Sequence, residues 1–95
     1  MPPLHPPHVQ AALSFNRQAR RFLIQTERAY TNEAVAKVVG ESSGNYSAAL
    51  RGIRGGTLDR VLRWMKAWED AGYPSMQMVV SPGHAEVIWN PEETQ

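Results

Sequence analysis

Ninety-five residues with no cysteine make one domain with a modest core, and they exclude disulfides, thiolate-zinc sites and thiol redox chemistry. No apolar run approaches the roughly 18–20 residues of a membrane span, and prolines stand where a signal peptide needs its basic and apolar regions, so a soluble, cytoplasmic protein is expected. The formal net charge of +1 hides a division: residues 1–68 hold all ten Lys and Arg against four carboxylates, net +6, and residues 69–95 hold five carboxylates, net −5, a layout that fits phosphate binding by the first part.

Met1 to Pro7 contains four prolines and reads as an extended arm; either Pro7 or Ser14 opens the first helix. From Phe15 onward Phe15, Ala19, Phe22, Leu23 and Thr26 follow helical spacing, with arginines on the other side. Thr31 caps a second helix, Glu33 sits in its first turn, and Gly40 stops it. Ser42 or Ser43 caps a third, in which Tyr46, Ala49 and Leu50 share one face. Thr57 caps a fourth, whose expected buried stripe is Leu58, Val61, Leu62, Met65 and Trp68, and Gly72 with Tyr73-Pro74 ends it. Trp64 and Trp68 suit core or hairpin contacts better than a base-stacking platform.

The period then changes. Met76–Val80 and Ala85–Trp89 read as strands around Ser81–His84, with Pro82-Gly83 at the central positions of a type II turn. Such a hairpin is marginal alone, and both faces are apolar: Met76, Met78 and Val80 on one, Val79 and Ile88 on the other. Its cover is either the chain's own helices or a second subunit; the candidate dimerisation residues are Met76, Met78, Val80, Val87, Ile88 and Trp89. The fold expected is mainly α, a four-helix helix-turn-helix domain followed by a C-terminal two-stranded β-hairpin. Within the single domain 1–95 the divisions are a Pro-rich arm over 1–14, a helix-turn-helix core over 15–72, a dimerisation hairpin over 73–91 and an acidic tail over 92–95.

Residues 31–52, TNEAVAKVVGESSGNYSAALRG, carry the functional reading. Helix, four-residue polar turn and helix is the layout whose second helix lies in the DNA major groove. With Tyr46, Ala49 and Leu50 inward, about 100° per residue puts Gly44, Ser47, Ala48 and Arg51 outward, with Ser43 and Asn45 near the leading end. Gly44 and Ala48 let a backbone approach base edges, the Ala48 methyl suits a thymine methyl, and Ser43, Asn45 and Ser47 supply hydrogen bonds. Arg51 suits a phosphate, with a guanine contact also open. Arg54 and the arginines of the first helix add backbone contacts or serve solubility alone.

These residues resemble the helix-turn-helix family of phage lambda Cro and repressor over about residues 16–70. The pattern falls on Thr31, Asn32, Glu33, Ala34, Val35 and Ala36, the turn glycine on Gly40, the inward apolar residue on Tyr46, and the closing pair on Arg51-Gly52. The resemblance implies that Asn32 holds a phosphate, that Ser43, Gly44, Ser47 and Ala48 face bases, and that Arg51 grips the backbone. Glu41 departs from it, standing where the family has an apolar turn residue, as does Gly44, a weak helix former. The segment GYPSMQMVVSPGHAEVIWN is similar to the terminal dimerisation hairpin of KorA-type plasmid repressors.

Catalytic readings fail. His5, His8 and His84 lack metal-ligand spacing, Gly52–Gly56 lacks the lysine and hydroxyl of a phosphate loop, and Glu92-Glu93 are adjacent tail residues. No enzyme, cofactor, metal or small-molecule substrate is expected. The expected function is a sequence-specific transcriptional regulator: a homodimeric, nucleoid-associated repressor of a phage, plasmid or other mobile element on a palindromic double-stranded operator. The alternative is an antitoxin or adaptor that uses the hairpin surface to bind a partner protein.

Overall fold

The computed structural model describes residues 5–28, 31–52 and 57–89. Four helices come first: α1 (Pro7–Thr26), α2 (Asn32–Val38), α3 (Ser43–Leu50) and α4 (Leu58–Asp70). An antiparallel hairpin of β1 (Met76–Ser81) and β2 (His84–Trp89) follows. The architecture is the mainly helical one with a C-terminal hairpin that the sequence pattern implies.

Of the two possible starts for α1, the chain uses Pro7. Proline suits the first helical position, where its missing N–H has no partner to lose. Residues 7–14 are therefore helix rather than arm, and Val9, Ala11, Ala12 and Ser14 are buried. The apolar stripe of α1 runs through Ala11, Phe15, Ala19 and Leu23, one residue per turn. Phe22 packs partly buried beside it, whereas Thr26 is exposed and donates its hydroxyl to the Phe22 carbonyl at 2.8 Å.

In α4 the buried residues are Val61, Trp64, Met65 and Trp68. Leu62, expected in the stripe, is 49 % exposed. The i, i+3, i+4, i+7 set from Val61 selects Trp64 and leaves Leu62 roughly 100° away from Val61, at the edge of the buried arc. Trp64 lies 4.7 Å from Tyr46 and 5.8 Å from Phe15 between ring centroids. Trp68 meets Phe15, Phe22 and Trp89, and stacks on Tyr73 at 4.2 Å. Its indole N–H donates to the Pro74 carbonyl at 3.0 Å, whereas the equally large Trp64 has its indole N–H buried without a partner among the described residues.

The hairpin closes through Pro82-Gly83, with Gly83 at φ 72° as the third position of a type II turn requires. Register pairs Met76 with Trp89, Met78 with Val87 and Val80 with Ala85. That face lies on the helices, and Met76, Ala85 and Val87 join the common core. Two polar side chains of α1, one turn apart, hold the outer edge of β2. Gln10 accepts from the Ala85 N–H at 3.0 Å and donates to the Gly83 carbonyl at 3.1 Å. Ser14 accepts from the Val87 N–H at 2.8 Å and donates to the Val87 carbonyl at 3.1 Å. An edge that would otherwise invite another strand is thus closed by side chains.

Candidate nucleic-acid interface

Local chemistry defines α2 and α3. The Thr31 hydroxyl accepts from the Ala34 N–H at 3.3 Å, with Glu33 in the first turn and Lys37 in the last, both favourable to the helix dipole. Gly40 takes φ 78°, its N–H reaches the Lys37 carbonyl at 3.3 Å, and the Glu41 N–H reaches Ala36 at 2.9 Å. This is the paired hydrogen-bond pattern of a Schellman stop. Of the two serines, Ser42 is the cap of α3, accepting from the Asn45 N–H at 3.2 Å. Glu41, the departure from the apolar turn, forms an ion pair with Arg60 of α4, whose guanidinium lies 5.9 Å from the Trp64 ring centroid. Both side chains are partly shielded, so the turn is tied to α4 by charge where an apolar residue would have used contact.

A buried chain of hydrogen bonds pins three helices together. The Tyr46 hydroxyl of α3 donates to Oδ1 of Asn16 in α1 at 2.9 Å, and Asn16 Nδ2 donates to Oδ1 of Asn32 at the start of α2, at 3.0 Å. Burial pushes the Tyr46 pKa well above its ordinary value, opposed more weakly by the nearby positive charge of Arg20, so the hydroxyl stays a neutral donor. Asn16 is 8 % exposed. With its oxygen engaged by Asn16, half-buried Asn32 has no acceptor for its amide N–H groups among the described residues.

On α3 the inward residues are Tyr46, Ala49 and Leu50, as the periodicity implies. Ser43, Gly44, Asn45 and Arg51 are exposed and Ser47 is half-buried. Ala48 corrects the expected surface: it is 8 % exposed. It lies roughly 70° round from the Gly44–Ser47–Arg51 crest at about 100° per residue, and a single methyl there does not rise above the flanks. Around Gly44 the opposite holds, since a Cβ placed there would meet no heavy atom within 4 Å. Arg54 lies outside the described residues, as do Glu92 and Glu93.

The hairpin residues divide. Met76 and Val87 are 9 % and 0 % exposed within this one chain, and Met78 and Trp89 pack partly buried against the same core. α1 and α4 cover that face within the one chain, so its burial needs no second subunit. Ile88, on the other face, is half-buried, while Val79 and Val80 are 38 % and 54 % exposed.

Sequence periodicity missed Gln10, Ser14 and Asn16. All three are polar residues on or beside the inner stripe of α1, and that oddity was the available signal. Among the described residues no group of His, Asp and Glu could hold a metal ion, and no helix is long and apolar enough to cross a membrane. No family model, curated protein or solved structure matches this chain.

Proposed function

We propose that this protein is a sequence-specific DNA-binding transcriptional regulator that works as a homodimeric repressor on a palindromic operator. The observation that carries the reading is the outward crest of α3. Tyr46, Ala49 and Leu50 are buried, and the opposite side offers Ser43, Gly44 and Ser47, small groups that let a helix enter a groove, with Arg51 at the end for a phosphate. Asn32, held by Asn16, presents a second donor at the start of α2. Such a protein acts at the nucleoid, and its resemblance to lambda Cro and KorA-type proteins points to control of a phage, plasmid or other mobile element.

The homodimer rests on the other edge of the hairpin. Because Ala85 and Val87 turn their N–H groups toward α1, strand alternation turns those of their partners Val80 and Met78 outward on β1. The strand MQMVVS carries no charge to discourage pairing. A second copy's β1 running antiparallel would satisfy that edge and place two α3 helices about a two-fold axis.

Selection of bound sites from random duplexes, with a sizing measurement, tests both parts. A palindrome with half-sites about 10 bp apart and a dimer mass are expected; absence of duplex binding at low ionic strength overturns the reading. Val80→Lys should shift the protein to monomer. The open β1 edge also favours a second reading, an antitoxin or adaptor whose partner protein supplies the strand; a monomer that dimerises only with a heterologous protein would select it.

A further inference from the structure

We infer that α1 carries a second phosphate-binding surface, centred on Arg17 and Arg21, that grips the DNA backbone outside the stretch read by α3. The inference rests on the DNA-binding reading above and extends its footprint to a different helix.

The first argument is a contrast in how cations are kept. On α4, Arg63 lies 3.3 Å from Asp59 and Lys66 lies 3.3 Å from Asp70, each an i, i+4 pair, and Arg60 has Glu41. Those positive charges are matched within the chain. Arg17 and Arg21 are exposed and, among the described residues, neither has a carboxylate partner. They stand four apart, so two like charges face one another along one side of α1. Solubility would be served as well by the paired arrangement of α4. A repelling set is retained where an external anion relieves it.

Placement is the second argument. Arg17, Arg20, Arg21, Ile24 and Gln25 line an open groove together with Asn16. Asn16 is the residue bonded to Asn32, so the groove opens beside the N-terminal turn of α2 and continues from the donor assigned to a phosphate. Arg17 and Arg21 are separated by about 6 Å of helix rise. Two long guanidinium side chains at that separation can reach neighbouring phosphates on one strand, which rise by about 3.4 Å each. Guanidinium forks match phosphate oxygens bidentately.

The test uses the full chain, with salt-titrated binding to the selected operator and to an unrelated duplex. Arg17→Gln and Arg21→Gln should each weaken binding to both duplexes alike and flatten the slope of log K against log salt by about one unit. The preferred sequence should stay the same, and protection of the backbone beyond the α3 footprint should be lost. Arg63→Gln, a control of equal charge loss, should leave the slope unchanged. The double variant should unfold at an unchanged or higher temperature, because a repulsion is removed and Gln is nearly as good a helix former; this separates lost binding from lost folding. A wild-type slope in the double variant overturns the inference while the DNA-reading α3 stands. The same result with lost retention on poly-glutamate overturns it in favour of an acidic protein ligand. A wild-type protein that binds no duplex overturns both.

Discussion

Helices α3 and α4 follow one another in the chain and are built to opposite ends. On α4, Val61, Trp64, Met65 and Trp68 fill the core, and its solvent side carries the pairs Asp59–Arg63 and Lys66–Asp70. On α3, Tyr46 is the single large side chain turned inward with Ala48, Ala49 and Leu50, and the exposed side has nothing larger than Asn45 before Arg51. One helix has bulk inside and neutralised charge outside; the other has low relief outside and a glycine at its second position. A helix selected for stability alone would fill Gly44, since the space around it is empty. The difference teaches that α4 holds the molecule together, while α3 keeps the low outer relief that the proposed reading of DNA would need.

The largest expected effect tests the core half of that contrast. Trp68→Ala should cost about 3–5 kcal/mol, read as a lower denaturant midpoint with an unchanged m-value; a loss under about 1 kcal/mol would break the assignment of α4 as the principal core helix. Tyr46→Phe comes next. It removes the donor to Asn16 Oδ1 and strands a buried acceptor, so about 1–3 kcal/mol should be lost. Operator affinity should fall with it as Asn32 loses its anchor.

Gly44→Ala sharpens the contrast because two readouts should move in opposite directions. Helix propensity should raise stability by up to about 1 kcal/mol, while the added methyl should weaken operator binding; equal affinity for both proteins would end the idea of close backbone approach. The smallest effect lies just past the end of α4. The Tyr73 hydroxyl donates to Glu27, and that hydrogen bond, then burial, then the Glu27 charge push its pKa from 10.0 up to about 12. A folded-state pKa above the unfolded one gives stability that is whole below pH 10 and lost as pH rises through about 12. The difference between wild-type and Tyr73→Phe melting temperatures should shrink across that window and be flat below it.

Much of this was written locally in the chain. Thr31 and Thr57 cap as their side chains demand, and Gly40 and Gly72, at φ 78° and 97°, stop α2 and α4 because few residues tolerate that backbone. Pro82-Gly83 fixes the hairpin loop in the same way. Periodicity gave the inward face of α3 but not the burial of Ala48, because a helical wheel assigns direction and not the height of neighbouring side chains. It put Leu62 in the buried stripe of α4, where the chain leaves it 49 % exposed, because that position borders the arc and the helices packed against α4 decide how far the arc extends. Buried Ser14 and Asn16 and half-buried Gln10 stand out in the sequence only as polar residues on the inner side of α1, with nothing local to name their partners. Their polar atoms are satisfied by Ala85, Val87, Tyr46 and Asn32, which are remote in sequence. Of the two covers open to the hairpin's apolar face, the chain's own helix lies some seventy residues upstream, beyond the reach of local pattern.

The clamp of Gln10 and Ser14 on β2 also sets an order of events during synthesis. The two contacts span 75 and 73 residues, so Gln10 and Ser14 reach these partners only after β2 has been synthesised. Until then the backbone of that strand has nothing to lie against, and no sheet exists to offer a neighbour. The proposed dimer, which needs the finished hairpin, therefore forms between chains translated through both strands.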